Sequence, residues 1–372
     1  MINHDIPFVN LKLINKRYKK KFIKILKSSI DQSNFIKDKH NYKLEKEIRK
    51  KFNCKKSILV NSGTDALIIG IPSLNLKKND EIITTSNTWV SSAYAIELNN
   101  CKPVFIDVSE IDFQMNCNLL QKKLTKKTKA IIVTHLYGQP NQMDKIIKFS
   151  KKNNLYIIED IAQSHLAKFK NKIVGNFGHL SCLSFYPSKN LGALGDGGAI
   201  ITNNKIIYEK CLKLSNYGSK NFKDPDHKMV GFNSRMDEIQ AAFLNEKIKN
   251  LNKDTNERIK LAKIYNSYCK LLSIKNISSP KNTKNVYHIY PVILNNRDKV
   301  QKELKKYKIN CQVHYKIPIH LQKAFKHLKY KKGDLPVTER LSKSLLSLPF
   351  YPGISKNKIH YIFEKLKKIL NH

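Results

Sequence analysis

"LYIIEDIAQSHLAKFKNKIVGNFGHLSCLSFYPSKNLGALGDGGAIIT", residues 155–202, contains three short apolar runs, "LYIIED", "CLSFYP" and "GGAIIT". Each has the length of one strand, and each is followed by turn-forming or glycine-rich sequence. Upstream the texture repeats in "SILV", "DEIITT", "KPVFIDV" and "KAIIVTH", with the helical patterns "TDALIIGIPSL", "SSAYAIEL" and "NQMDKIIKFSKKN" in between. Strands alternating with helices predict an α/β layer built on a mostly parallel sheet, and in such sheets ligands gather at the carboxyl ends of the strands. From about residue 236 the texture changes to long Lys/Asn-rich helices, then to short strands around "YHIYPVIL" and "INCQVHY". Two domains are expected: a large one over residues 1–240 and a smaller α+β one over 241–372.

The chain of 372 residues carries 69 basic against 29 acidic side chains, a formal charge of +40. Few of the basic residues are arginine, and the lysines run from "RYKKKFIKILK" to "FEKLKKILNH" without gathering in one tail or interleaving with aromatics. That spread reads as a solvated surface rather than a nucleic-acid footprint, although attraction of a multiply anionic substrate fits it too. The seven cysteines are odd in number, widely spaced and never in a Cys-x-x-Cys pair, so they read as reduced thiols. No apolar leader opens the chain and no run approaches the roughly 20 residues of a membrane span. A cytoplasmic protein with no membrane partner is expected.

Four places offer chemistry. In "NSGTDAL" a strand ends at Asn61 and a helix begins near Thr64, so Ser62, Gly63 and Thr64 present free N–H groups suited to a phosphate, or form only a cap. "EDIAQSHLA" ends a strand in Glu159 and Asp160 with Gln163 three residues on; Asp160 faces a site or caps the next helix. A pyridinium nitrogen beside Asp160 would be kept protonated, and Gln163 could donate to a ring oxygen. Lys189 follows, among the hydroxyls of Ser184, Tyr186 and Ser188 and a run of glycines, either a surface lysine or a desolvated amine able to attack an aldehyde. Arg235 is a fork for a diphosphate or carboxylate, or part of a structural ion pair. His135, His165, His314 and His320 lie on separate elements without metal-ligand spacing, so no metal is expected. Tyr137, Tyr186 and Tyr217 read as core or rim aromatics.

Together with Trp89 in "NTWVSSA", the motifs "NSGTDAL", "EDIAQSHLA", "FYPSKNLGALGDGGAI" and "GFNSRMDEIQAA" occur in an order that resembles the DegT/DnrJ/EryC1/StrS family of pyridoxal-phosphate-dependent nucleotide-sugar aminotransferases. The likeness runs from "IPFVNLK" to about "HYKIPIHLQKAF". It implies an aspartate-aminotransferase-like fold (fold type I) with a three-layer large domain, and pyridoxal 5'-phosphate as cofactor. Lys189 would form the Schiff base and shuttle the proton, Asp160 would pair with the pyridine nitrogen, Gln163 would bind the ring hydroxyl, and Trp89 would stack on the ring. Gly63, Thr64 and Ser184 would hold the phosphate. "GFNSR" is the family's crossing segment, so Asn233 would reach the neighbouring subunit's cofactor in a homodimer with shared sites.

A lysine at position 189 argues against the branch in which histidine replaces it and sugars are deoxygenated. "HLYGQP" and "QVHYKIPIHLQKAF" are similar to enzymes that aminate C3, which places Tyr186, Arg235, His314, Tyr315 and His320 near the sugar; Lys316, where relatives commonly have proline, is a departure. The expected reaction moves an amino group from glutamate to C3 of a dTDP-linked 3-keto-6-deoxyhexose. Its rivals are a UDP-linked 3-keto N-acetyl-glucuronate, a 4-keto sugar, and a cofactor-bearing regulatory protein without turnover.

Overall fold

The computed structural model describes residues 5–220 and 226–371. Its central sheet contains β1 (Lys56–Val60), β2 (Glu81–Thr85), β3 (Lys102–Ile106), β4 (Thr128–Thr134), β5 (Tyr156–Asp160), β6 (Leu180–Ser184) and β7 (Gly198–Thr202). Their spatial order is β1-β7-β6-β5-β4-β2-β3. β7 runs antiparallel to both of its neighbours, and the remaining pairs are parallel. All seven expected strands are present, and the mostly parallel sheet is as anticipated.

Successive residues of a strand point to opposite faces, and here both faces are dry. On β4, Ile131 and Val133 join one apolar cluster, while Ala130 and Ile132 join another. The first cluster is closed by Lys39–Phe52 (through Leu44, Ile48 and Phe52), Met143–Lys152 (Met143 and Ile146) and Glu238–Lys247 (Ala241 and Leu244). The second is closed by Gly63–Gly70 (Ala66, Leu67 and Ile69), Ser91–Leu98 (Ala95 and Ile96) and Lys205–Leu214 (Ile207, Cys211 and Leu214). Helices on two faces of one sheet make three layers. Each wholly buried isoleucine contributes about 1.5–3 kcal/mol to holding them together.

β6 stops at Ser184, three residues short of the expected "CLSFYP" strand. Tyr186 N–H turns back onto Ser184 Oγ at 3.3 Å, and Pro187 has no N–H to continue a ladder. The loop that carries Lys189 starts there.

Beyond the sheet, the long helix Leu251–Leu271 leads to β8 (Lys275–Asn276), β9 (Tyr290–Ile293) and β10 (Leu345–Leu348), a second small sheet of order β8-β9-β10. Arg297–Lys306 and Lys356–Leu370 pack with it around Tyr265, Val292, Leu304, Leu346 and Phe363. Ile6, from the start of the chain, is fully buried in this second core. The expected domain boundary at residue 240 falls inside Glu238–Lys247, whose Ala241 and Leu244 still belong to the central-sheet core.

Candidate active site

The carboxyl ends of β1, β2, β5 and β6 open onto one cavity of about 460 Å³, within the size range of small-molecule sites. Nearly all the predicted cofactor residues line it: Gly63, Thr64, Trp89, Asp160, Gln163, Ser184 and Lys189. Of the predicted sugar residues, Tyr186, His314 and Tyr315 line it as well.

Ser62 caps the helix Gly63–Gly70, its Oγ accepting from Asp65 N–H at 3.0 Å. The N–H groups at this helix start point along its axis and favour an anion. Gly63 lies hard against β6: a Cβ added there would sit 2.5 Å from Ser184 Cβ. Glycine is therefore required for the cradle and the Ser184 hydroxyl to stand side by side.

The two acids of β5 part by strand alternation. Glu159 is fully buried and turns from the cavity, accepting from Gly175, Phe177 and Gly178 N–H groups at 2.7, 2.7 and 2.6 Å and standing 3.1 Å from His135 Nε2. Asp160 faces the cavity, with Oδ1 accepting from Ala162 N–H at 3.0 Å. Burial lifts the Asp160 carboxyl above the usual carboxylate range, opposed by the Ala162 hydrogen bond and by the Lys189 ammonium. Gln163 is oriented from behind: its Oε1 accepts from Tyr137 N–H at 2.8 Å, so its Nε2 donates forward, to Tyr315 Oη at 3.1 Å. Tyr137 is buried, as a core aromatic should be, and its hydroxyl donates to the His314 carbonyl at 2.7 Å.

Lys189 is held by its N–H on the Tyr186 carbonyl at 2.8 Å. Desolvation lowers its ammonium to about 8, opposed by the Asp160 charge. Near neutral pH a tenth or so of such an amine is free, roughly two hundred-fold more than for a lysine at about 10.4. Of the two readings the sequence left open, this lowering agrees with the tuned amine rather than the surface lysine. Trp89 is 58% exposed, with its ring 5.7 Å from that of Tyr315, and Tyr186 is 55% exposed.

Three predicted residues do not line this cavity. His320 is buried behind the wall, with Nδ1 2.8 Å from Ser86 Oγ and Nε2 3.1 Å from Glu339 Oε1. The same Ser86 oxygen accepts from His320 N–H at 3.0 Å, so the side chain latches its segment to the end of β2 and does not touch a sugar there. Arg235 donates to Asn216 Oδ1 at 3.1 Å and lies over the Tyr217 ring at 5.5 Å. Asn233 is exposed, while its neighbour Ser234 is buried: Ser234 Oγ donates to Asp65 at 2.6 Å and accepts from Asn61 N–H at 3.1 Å. The segment bearing Asn233 is thus pinned to the cradle of its own subunit. Conversely, Asp196, His288 and Gln312 line the cavity without having been singled out, because none sits in a local pattern that marks it.

Pyridoxal phosphate, expected from the resemblance, fits the residues present: an anion cradle with adjacent hydroxyls, a buried carboxylate that a ring cation would relieve, a forward-facing amide donor and a desolvated amine. The described residues hold no group of three or more side chains suited to a metal ion, and no helix among them is long and apolar enough to cross a membrane. All seven cysteines are free thiols.

The profile of the DegT/DnrJ/EryC1/StrS aminotransferase family matches residues 16–367. Among curated relatives, a "Pleiotropic regulatory protein" of Geobacillus stearothermophilus is 36% identical, covering 99% of each chain. A UDP-N-acetyl-3-dehydro-alpha-D-glucosamine 3-aminotransferase of Acidithiobacillus ferrooxidans is 32% identical, over 99% of each chain. A dTDP-3-amino-3,6-dideoxy-alpha-D-galactopyranose transaminase of Aneurinibacillus thermoaerophilus is 35% identical, over 98% of this chain and 99% of its own. The crystal structure of DesV from S. venezuelae, in complex with a ketimine intermediate, superposes with a TM-score of 0.95 at 29% identity, covering 99% of each chain.

Proposed function

The chain belongs to the DegT/DnrJ/EryC1/StrS aminotransferase family, and from that premise we propose that it moves an amino group from glutamate to C3 of a dTDP-linked 3-keto-6-deoxyhexose, with pyridoxal 5'-phosphate as cofactor. The single observation that carries the reading is the convergence of the Gly63 cradle, Asp160 and Lys189 on one cavity. C3 is supported by contact between two segments that are far apart in sequence. Tyr137 of "HLYGQP" bonds through its hydroxyl to the His314 carbonyl of "QVHYKIP" and through its N–H to Gln163, so the two motifs meet behind cavity residues His314 and Gln163.

When bound, pyridoxal phosphate supplies an aldehyde and a pyridinium ring that draws electrons from the bond being broken. The chain's own residues do the rest. The Gly63 and Thr64 N–H groups and the Ser184 hydroxyl bind the phosphate. The Asp160 carboxylate keeps the ring nitrogen protonated, and Gln163 Nε2 donates to the ring oxygen. Trp89 covers the ring face and helps exclude water. Lys189 Nζ, free of its proton in a usable fraction, would take the proton from the donor α-carbon in the first half-reaction and deliver one to sugar C3 in the second.

The nucleotide is the finer part of the reading. A UDP-linked keto sugar is favoured by the resemblance to the Acidithiobacillus enzyme, which also bears the number 3 in its name. Against a glucuronate carboxylate stands the engagement of Arg235 with Asn216 and Tyr217. Incubation with glutamate and either keto sugar, followed by mass spectrometry, separates the two.

Position on the ring is tested independently. A one-carbon shift moves the ketone by roughly 1.5–2.5 Å, and about 1 Å of misplacement costs on the order of 10²-fold in rate. The enzyme is expected to aminate a dTDP-3-keto-6-deoxyhexose at C3, read by NMR of the product, and to turn over the 4-keto isomer at least 10²-fold more slowly. Efficient amination at C4 moves the chain to another branch and leaves its cofactor unchanged.

The active unit is a homodimer in which Asn233 reaches the partner's phosphate. Supporting this, Asn233 is solvent-facing next to exposed apolar side chains, Phe232 at 41% and Val230 at 95%, while Ser234 keeps the segment anchored. Mixing Lys189→Ala with Asn233→Ala subunits gives hybrid dimers with one doubly damaged and one intact site. Activity returning toward a quarter of wild type is expected after exchange; exchange without recovery removes the shared site.

A further inference from the structure

His288 lines the same cavity as Lys189, and its ring is buried. Its backbone is clamped on both sides: the N–H donates to the Tyr137 carbonyl at 2.9 Å, and the carbonyl accepts from Arg258 at 3.1 Å. Gly138 makes this approach possible. It has a φ of +97°, and a Cβ there would fall 2.8 Å from His288 N. Tyr137, whose N–H orients Gln163, therefore also sets His288 through its carbonyl.

The ring itself meets Asn190, the residue after Lys189. Asn190 Nδ2 donates to the Val286 carbonyl at 3.3 Å, which turns its Oδ1 to His288 Nδ1 at 3.2 Å. A carbonyl oxygen accepts, so Nδ1 carries the proton and Nε2 keeps its lone pair. Burial, followed by the charges of Lys189, Arg258, His314 and His165, pushes the imidazole well below the usual histidine range, so it stays neutral.

We propose that His288 is a positioning residue for Lys189: its Nδ1–H, donated to Asn190 Oδ1, holds the lysine loop in register with the cofactor cradle. The function of the loop rests on the reading of Lys189 as the reacting amine. Neither the packing of the large sheet nor the phosphate cradle uses this bond.

The test compares His288→Asn, whose amide can still donate to Asn190, with His288→Leu, which fills the space without a donor, in the cofactor-loaded protein. His288→Leu is expected to slow the glutamate half-reaction on the order of 10²-fold, as for about 1 Å of misplacement. Hydrogen exchange across residues 186–192 should rise in the same variant, without change in the central strands. His288→Asn should restore most of both. A leucine variant as active and as protected as wild type overturns the proposal, and so does leucine outperforming asparagine, the order expected of mere packing. Should His288→Leu fail to fold, Asn190→Ala breaks the same bond from the loop side, together with the Val286 bond, and carries the same two readouts. Loop protection reports on the bond alone, and the site of borohydride-fixed pyridoxyl label reports on Lys189, so failure of one is distinguishable from failure of the other.

Discussion

Lys189→Ala is expected to leave a folded protein that binds the cofactor and has lost transamination by at least about 10⁴-fold, the upper end of what a positioned general base contributes. The size follows from the lysine's two jobs, capturing the aldehyde and moving the proton, for which the cavity offers no substitute of the same kind. His314, the next nitrogen base in the wall, is lowered to about 4 by burial and the Lys189 charge. A group so weakly basic accepts a carbon-bound proton poorly. His288 is also pushed well below the usual histidine range by burial and is committed through Nδ1 to Asn190. The fold should tolerate the change, since a buried ammonium costs stability when charged. With the folded value at about 8 and the unfolded one near 10.4, that cost is fully present below pH 8 and fades as pH rises toward 10.4. Alanine removes it, so the melting temperature of the cofactor-free variant should equal or exceed wild type at pH 7. The checks are stopped-flow absorbance with glutamate and peptide mapping after borohydride reduction, which should label Lys189 in wild type alone. A label on another lysine, or residual activity within 10²-fold of wild type, removes Lys189 from the reaction, because a positioned base contributes roughly 10²-fold at the least.

What the sequence made legible was what depends on neighbours along the chain. Strand alternation separates Glu159 from Asp160, and a helix that starts where a strand ends places Gly63 and Thr64. Their positions required no knowledge of distant contacts. The placements that went astray depend on distant partners. His320 was expected at the sugar because its motif is, but it faces Ser86, 234 positions away. Arg235 was read as a fork for an anion or part of a structural ion pair and was placed near the sugar, while its described partners are Asn216, 19 positions away, and the Tyr217 ring. His288 went unnoticed for the same reason, since its meaning lies in Asn190, 98 positions away. The strand "CLSFYP" came out too long because apolar residues look alike whether they extend a ladder or begin a turn; Pro187 was the local signal that it ends.

Asp160→Asn tests the other half of the catalytic pair, and its two effects have different origins. Leaving the ring nitrogen without its carboxylate strips a buried cation of its counter-charge, a loss of about 3–5 kcal/mol in comparable pairs. If all of that is felt in the transition state, kcat falls on the order of 10²–10³-fold while the phosphate cradle still retains the cofactor. The second effect is on Lys189. Asp160 is the one charge opposing the desolvation that brings the lysine to about 8, so its removal lowers the ammonium further. In the cofactor-free protein, acylation of Lys189 followed by mass spectrometry should show a midpoint near pH 8 in wild type and a lower one in the variant, with the free amine more abundant at neutral pH. The variant thus has a readier nucleophile and a poorer catalyst, a combination that general destabilisation does not produce. An unmoved midpoint would mean that Asp160 is already protonated in the empty site, as its burial tends to make it. Full activity would mean that the ring nitrogen finds its counter-charge elsewhere. The sign of the lysine shift therefore reads the state of the aspartate before the cofactor arrives, and the rate reads it afterwards.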